Sequence, residues 1–98
     1  MPYIKQEDRT KFIDSAKDIA DKASCAGDLN YAISLLLHMY IDKKGLKYAN
    51  LNEVIGMLEC CKLELYRTVT GPYEDTKITE NGTVSGLEAK ARLPSTKY

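Results

Sequence analysis

The sequence has no tryptophan, only one phenylalanine and one histidine, and its aromatic content rests on seven tyrosines. A tyrosine ring is apolar but carries a polar hydroxyl, so tyrosine suits half-buried surfaces and interfaces better than a dry core. This balance predicts wet contacts, made to a ligand or to another copy of the chain.

Cysteine is scarce, and its placement suggests neither disulfides nor zinc. The three cysteines are an odd number, and Cys60 and Cys61 are adjacent, so they do not form a disulfide framework. A CxxC pair or a His/Cys cluster, as zinc sites use, is also missing from the sequence. We expect a protein of the reducing cytoplasm that holds no metal and no cofactor.

Excess charge and long apolar runs are missing as well. Fourteen basic residues balance fourteen acidic ones, which weighs against non-specific binding to nucleic acid or to a membrane surface. We expect neither a membrane partner nor a specific nucleic-acid partner. The longest apolar run, residues 32–40, is far too short to span a bilayer. Residues 1–11 are too polar for a signal peptide, and 98 residues make one domain at most.

What the sequence does contain is helical periodicity, and we predict an all-α fold of three main helices. The first covers about residues 6–25, with Gly27 as its stop. The second covers about residues 29–44, with Asp28 as its N-cap and Gly45 as its C-cap. The apolar set of the second helix is wider than one face, so we expect this helix to be the most buried.

The third helix is predicted to be long and kinked. Asn50 and Glu53 resemble a capping box at its start, and Gly71-Pro72 should end or kink it. Pro72 could equally open a short further helix that stops at Asn81-Gly82. An unbroken helix over residues 51–80 would overhang a compact 98-residue domain, which predicts a homo-oligomer. The apolar stripe of this helix consists of Leu51, Val54, Ile55, Leu58, Cys61, Leu65 and Val69.

The end of the chain loses this periodicity. Residues 1–82 are predicted to form a single helical domain. Residues 83–98 gain glycine, proline, serine and threonine, which indicates a flexible tail or an oligomerisation arm that orders against a neighbouring subunit.

Polar residues that are suited to recognition share the third helix with the apolar stripe. Glu59, Lys62 and Tyr66 fall on one flank at spacings of three and four. The simplest interpretation is a solvated face with an ordinary Glu-Lys pair. The functional interpretation is a site in which Arg67 or Lys62 holds phosphate while a tyrosine stacks on a base.

A catalytic signature is not recognisable. His38 has no orienting carboxylate or nucleophile at a recognisable spacing, so we interpret it as a core or interface residue. Cys61 falls on the apolar stripe and is interpreted as a small core residue.

Four short sequence motifs, taken together, resemble those of a family of small uncharacterised proteins encoded by phages and prokaryotes. They are MPYIKQE-R at residues 1–9, G-LNY at 27–31, IG-LEC-KLE-YR at 55–67 and PYE--K--ENG at 72–82. A small, helical, phage-linked protein of this type is similar in kind to the sponges with which phages sequester nucleotide immune signals. The resemblance thus implies a binding protein.

We therefore hypothesise a non-enzymatic protein that sequesters a small nucleotide-derived immune signal in pockets at subunit interfaces. One alternative is a protein-interaction or regulatory module without a small-molecule ligand. Another is an enzyme acting on a nucleotide, with Glu59, Glu64 and Glu74 as its acids or metal ligands. The predicted ligand-binding residues are Asn30, Tyr31, Glu59, Lys62, Tyr66, Arg67, Tyr73, Glu74 and Lys77.

Overall fold

The structure is a computed structural model that describes residues 2–92, and over this range the chain is helical without any β-strand. The predicted all-α fold is confirmed. In chain order the elements are α1 (Gln6–Lys22), α2 (Ala26–Lys44), α3 (Tyr48–Leu65), a π-helical turn (Tyr66–Thr70), α4 (Gly71–Asn81) and α5 (Leu87–Arg92).

The start of α2 differs from the prediction. Cys25 is the N-cap, and its Sγ accepts a hydrogen bond from the backbone N–H of Asp28 at 3.4 Å. The Asp28 carboxylate accepts in turn from the N–H and the hydroxyl of Ser24, both at 3.0 Å. This reciprocal pairing satisfies N–H groups that a helix start leaves without partners, and it lets α2 begin two residues before Asp28. Asp28 as N-cap and Gly27 as a helix stop were therefore wrong predictions.

The glycine stops are confirmed at two helix ends. Gly45 has a φ of 117° and follows α2, and Gly82 has a φ of 86° and follows α4. Such left-handed φ values are costly for any residue with a Cβ atom, so glycine marks both positions in the sequence. The capping box at Asn50 is not formed. α3 begins earlier, and the Asn50 side chain donates to the Gly45 carbonyl at 2.9 Å.

α3, the π-helical turn and α4 follow one another without a break over 34 residues. The predicted long, kinked third helix is thus confirmed. At the irregularity the Gly71 N–H bonds to the Tyr66 carbonyl, five residues back, and Pro72 then opens α4. Proline lacks the N–H that an α-helical bond needs, so a wider turn at this point leaves fewer groups unsatisfied.

The chain divides into two compact units between Cys61 and Lys62. In the first unit α1 contacts α2, and in the second the π-helical turn contacts α4. The division into residues 1–82 and 83–98 stays a prediction. Within the predicted tail the structure forms α5, while residues 93–98 lie outside the described residues.

Side-chain burial is low over the described residues. Val54 is the buried apolar side chain, at 6% exposure, and α2 has none, so the expectation that α2 is the most buried helix was wrong. Cys61 is exposed, which overturns its interpretation as a core residue. His38 is exposed as well, so it is not a core residue, and its interpretation as an interface residue stays a prediction. Most large apolar side chains of the described residues are therefore exposed. Among residues 2–92, none of the helices combines the length and the apolar character needed to cross a membrane.

Candidate functional site

Six of the polar and aromatic residues of the second unit lie in the π-helical turn or close to it in the sequence, and they contact one another in pairs. We call them the π-turn cluster: Glu64, Tyr66, Arg67, Tyr73, Glu74 and Lys77. Turns of this kind are rare and occur frequently at functional sites. The cluster contains five of the residues that the sequence predicted to bind a ligand.

The π-helical turn brings Tyr66 and Glu74 together. The Tyr66 hydroxyl donates to the Glu74 carboxylate, whose two oxygens lie at 3.1 and 3.0 Å. In an uninterrupted α-helix, residues eight apart differ by roughly 80° around the axis. A π turn takes up more residues per turn, and it therefore rotates Glu74 back over Tyr66.

This contact changes the acidity of the tyrosine. The hydrogen bond to the Glu74 carboxylate, and then the negative charge of that carboxylate, raise the pKa of Tyr66 above its ordinary value. Ionising Tyr66 would both remove the donor and place two negative charges side by side. Tyr66 therefore stays a neutral hydrogen-bond donor at physiological pH.

Arg67 is anchored by a carboxylate one turn earlier. Its Nη2 donates to Glu64, whose side chain is only 15% exposed, whereas the Arg67 side chain is 68% exposed. The Glu64 carbonyl also accepts from the Thr68 hydroxyl at 2.8 Å. The covered carboxylate holds the guanidinium in place while most of the arginine side chain faces solvent.

Tyr73 and Lys77 form a second aromatic contact on α4. The Lys77 Nζ lies 5.6 Å from the centre of the Tyr73 ring, which is within cation–π range. Lys77 also pairs with Glu80 at 3.2 Å. One face of an exposed tyrosine ring thus has a cation over it.

The remaining predicted residues are placed by other contacts. In the first unit, Asn30 accepts from the Ser34 hydroxyl at 3.1 Å, and Tyr31 lines a shallow cavity of about 320 Å³ next to Asp28. Glu59 and Lys62 are exposed on α3.

Glu64 is the partner that the sequence did not assign to the ligand site. The sequence feature that could have identified Glu64 is its position three residues before Arg67, because oppositely charged residues three apart on a helix form ion pairs. Within residues 2–92, no three His, Cys, Asp or Glu side chains gather closely enough to hold a metal ion.

A family model described as a domain of unknown function, DUF6899, matches residues 1–84. The chain belongs to the DUF6899 family. The resemblance to an uncharacterised family is thereby confirmed, and the DUF6899 match includes the whole π-turn cluster. The comparisons found no match among curated proteins and none among solved structures.

Proposed function

We propose that this DUF6899 protein is a non-enzymatic binding protein that sequesters a small nucleotide-derived signal. In this proposal it is encoded by a phage, acts in the cytoplasm of the host cell, and works as a homo-oligomer with ligand pockets at subunit interfaces. The observation that carries the proposal is the π-turn cluster, which combines an arginine, two tyrosine rings and two carboxylates around an irregular helical turn.

Each part of a nucleotide has a suitable group in the cluster. The planar guanidinium of Arg67 matches the geometry of a phosphate and can bind it through two parallel hydrogen bonds. Tyr66 and Tyr73 are 53% and 62% exposed and can stack on a base. Glu74 accepts a hydrogen bond from the Tyr66 hydroxyl, and its carboxylate has further acceptor sites for a base N–H or a ribose hydroxyl.

The ion pair with Glu64 sets the conditions for phosphate binding. A guanidinium carries five N–H donors, so Arg67 can bind a phosphate while it keeps a contact to Glu64. The carboxylate nevertheless repels the phosphate. We therefore expect moderate affinity at each site that falls as the salt concentration rises. Lys62, which is exposed on the preceding turn, adds a second positive charge.

Native mass spectrometry tests the proposal directly. The protein is purified gently from cells with an active nucleotide-signalling defence, and the mass of the intact oligomer is measured. We expect extra mass of a few hundred daltons per site, lost on Arg67→Ala and kept on Arg92→Ala, which removes an exposed arginine outside the cluster. A ligand that stays bound to the Arg67→Ala protein would remove the assigned phosphate contact, and a bare wild-type oligomer would contradict the proposal for those signals.

The second candidate is a protein-interaction or regulatory module, and the exposed apolar surface favours it. Leu36, Met39 and Ile55 are each more than half exposed, a pattern that marks interaction surfaces. In the same mass spectrum this function predicts a host polypeptide in place of the small ligand.

A further inference from the structure

One apolar face of α2 is about half exposed along the length of the helix. We call Leu29, Ile33, Leu36 and Tyr40 the α2 stripe. Their spacing of four, three and four places them on one side of the helix, and their exposures are 45%, 40%, 56% and 41%. The contacts of the same unit reach the flanks of this stripe, where Ala32 lines the cavity beside α1 and Ile41 lines a second cavity with Leu51.

We propose that the α2 stripe is the docking surface for a second copy of the chain, with the two α2 helices antiparallel about a two-fold axis. A two-fold interface must be complementary to itself, so that residue i of one copy meets residue j of the other and the reverse contact also forms. The spacing of four, three and four reads the same in both directions. Ile33 therefore meets the partner's Leu36, and Leu29 meets the partner's Tyr40.

The charges at the helix ends fit the same arrangement. Asp28 lies in the first turn of α2, and the last turn, with Lys43 and Lys44 against Asp42, keeps a net positive charge. An antiparallel pair places the acidic end of each helix beside the basic end of the other, and it also opposes the two helix dipoles. The two-fold axis produces this complementarity twice. The chain has no net charge, so two copies do not repel each other overall.

The four residues of the α2 stripe offer roughly 300 Å² at roughly 80 Å² each, compared with about 800 Å² that each partner buries in a standard interface. The α2 stripe therefore supplies the apolar centre of the proposed interface, and the residues around it supply the rest. A second copy is also the partner that is present whenever the chain is made. These points favour a copy of this chain over another protein as the occupant of the stripe.

This inference deepens the homo-oligomer of the proposed function, but it uses a different surface and does not depend on the ligand. It can therefore fail while nucleotide binding succeeds, and the reverse. The experiment below contains no nucleotide, so its result reports on the α2 stripe alone.

The test measures the mass and the dissociation constant of the full chain by native mass spectrometry and light scattering. Ile33→Glu and Leu36→Lys each bury a charge in the proposed interface, so we expect each to weaken association at least about tenfold. Leu35→Glu is the matched control, because Leu35 is also 40% exposed but lies roughly 160° around the helix from Ile33 and roughly 100° from Leu36. The control should keep the wild-type mass.

An equal mixture of the Ile33→Glu and Leu36→Lys proteins makes the test independent of folding defects. In a mixed pair the introduced carboxylate at position 33 faces the introduced ammonium at position 36 of the partner, so association should recover. A monomeric wild-type chain, a mixture that stays dissociated, an equal effect of Leu35→Glu, or a different polypeptide bound in place of the second copy would each overturn the proposal.

Discussion

At the residue scale, the Tyr66 hydroxyl and the Glu74 carboxylate form the most specific contact of the second unit. Because Glu74 raises the pKa of Tyr66, this contribution to stability is fully present at neutral pH. It is lost as the pH rises past the ordinary tyrosine value of 10.0 and through the higher value of the folded state. We expect Glu74→Gln to move the titration of Tyr66 to lower pH.

Alkaline titration of tyrosine absorbance checks this prediction. Subtracting the curve of Tyr66→Phe from that of the wild type isolates the contribution of Tyr66 among the seven tyrosines. If the isolated curve has the same midpoint in the Glu74→Gln background, the hydrogen bond does not form in solution.

Cys25 is an unusual N-cap, and we expect its replacement by serine to stabilise the protein and its replacement by alanine to destabilise it. A hydroxyl oxygen is a stronger acceptor than a thiol, so Cys25→Ser should raise the melting temperature, whereas Cys25→Ala should lower stability by about 0.5–1 kcal/mol. At Cys60, inside α3, the alanine variant should instead be more stable than the serine variant, because alanine is the better helix former there. Thermal unfolding followed by circular dichroism measures all four variants. The same order at both positions would contradict the cap.

Asp28 links the start of α2 to pH. The Ser24 backbone N–H, then the Ser24 hydroxyl, and finally Cys25 lower the pKa of Asp28 below its ordinary value of 3.8. Its contribution to stability is therefore present above pH 3.8 and is lost as the pH falls through the lower value of the folded state. Acid titration of the amide signals of Ser24 and Asp28 by NMR should show one shared transition below pH 3.8, and Asp28→Asn should abolish it. Separate transitions for the two amides would argue against the pairing.

At the element scale, Gly71 and Gly56 test the packing of the π-helical turn. A Cβ atom at Gly71 would lie 3.1 Å from the Tyr66 carbonyl oxygen. One at Gly56 would meet, within 4 Å, no atom of residues 2–92 beyond its chain neighbours and the backbone of its own helix. Glycine to alanine in an open helix gains about 0.8–1 kcal/mol, which we expect in full for Gly56→Ala. Gly71→Ala should gain clearly less, because the carbonyl must shift. Chemical denaturation measures both variants, and equal gains would show that the turn yields without cost.

The same elements show how far the sequence could be interpreted. The stops at Gly45 and Gly82 were predictable because a left-handed φ value favours one residue type locally. The start of α2 was not, because a cysteine caps rarely and Asp28 reaches backwards to Ser24. The π register depends on bonds five residues apart, and sequence periodicity does not report these. Tyr66 and Arg67 were predicted as site residues, but their pairing with Glu74 and Glu64 depends on that register and on the side-chain conformations.

At the scale of the whole molecule, the burial of side chains is too small for the amount of ordered helix. Fixing one residue costs about 1–2 kcal/mol of conformational entropy, and burying one large apolar side chain returns about 1.5–3 kcal/mol. Val54 is the buried apolar side chain of residues 2–92, whereas Leu36 and Ile55 remain 56% and 65% exposed. Isolated helices of this length are marginal in water. We therefore expect the described helices to gain further apolar contacts, and the proposed second copy is the source that we test.

The proposed second copy predicts that stability depends on protein concentration. If a second copy supplies the missing contacts, association and folding are one equilibrium, and the melting temperature must rise with concentration. We expect circular dichroism to show a lower melting temperature at each tenfold dilution, and Ile33→Glu to lose helicity at concentrations where the wild type is folded. The Leu35→Glu protein should follow the wild-type curve. A melting temperature that stays constant over a hundredfold dilution would mean that the exposed stripes are tolerated in a folded monomer, and the cause of the low burial would then lie within the chain.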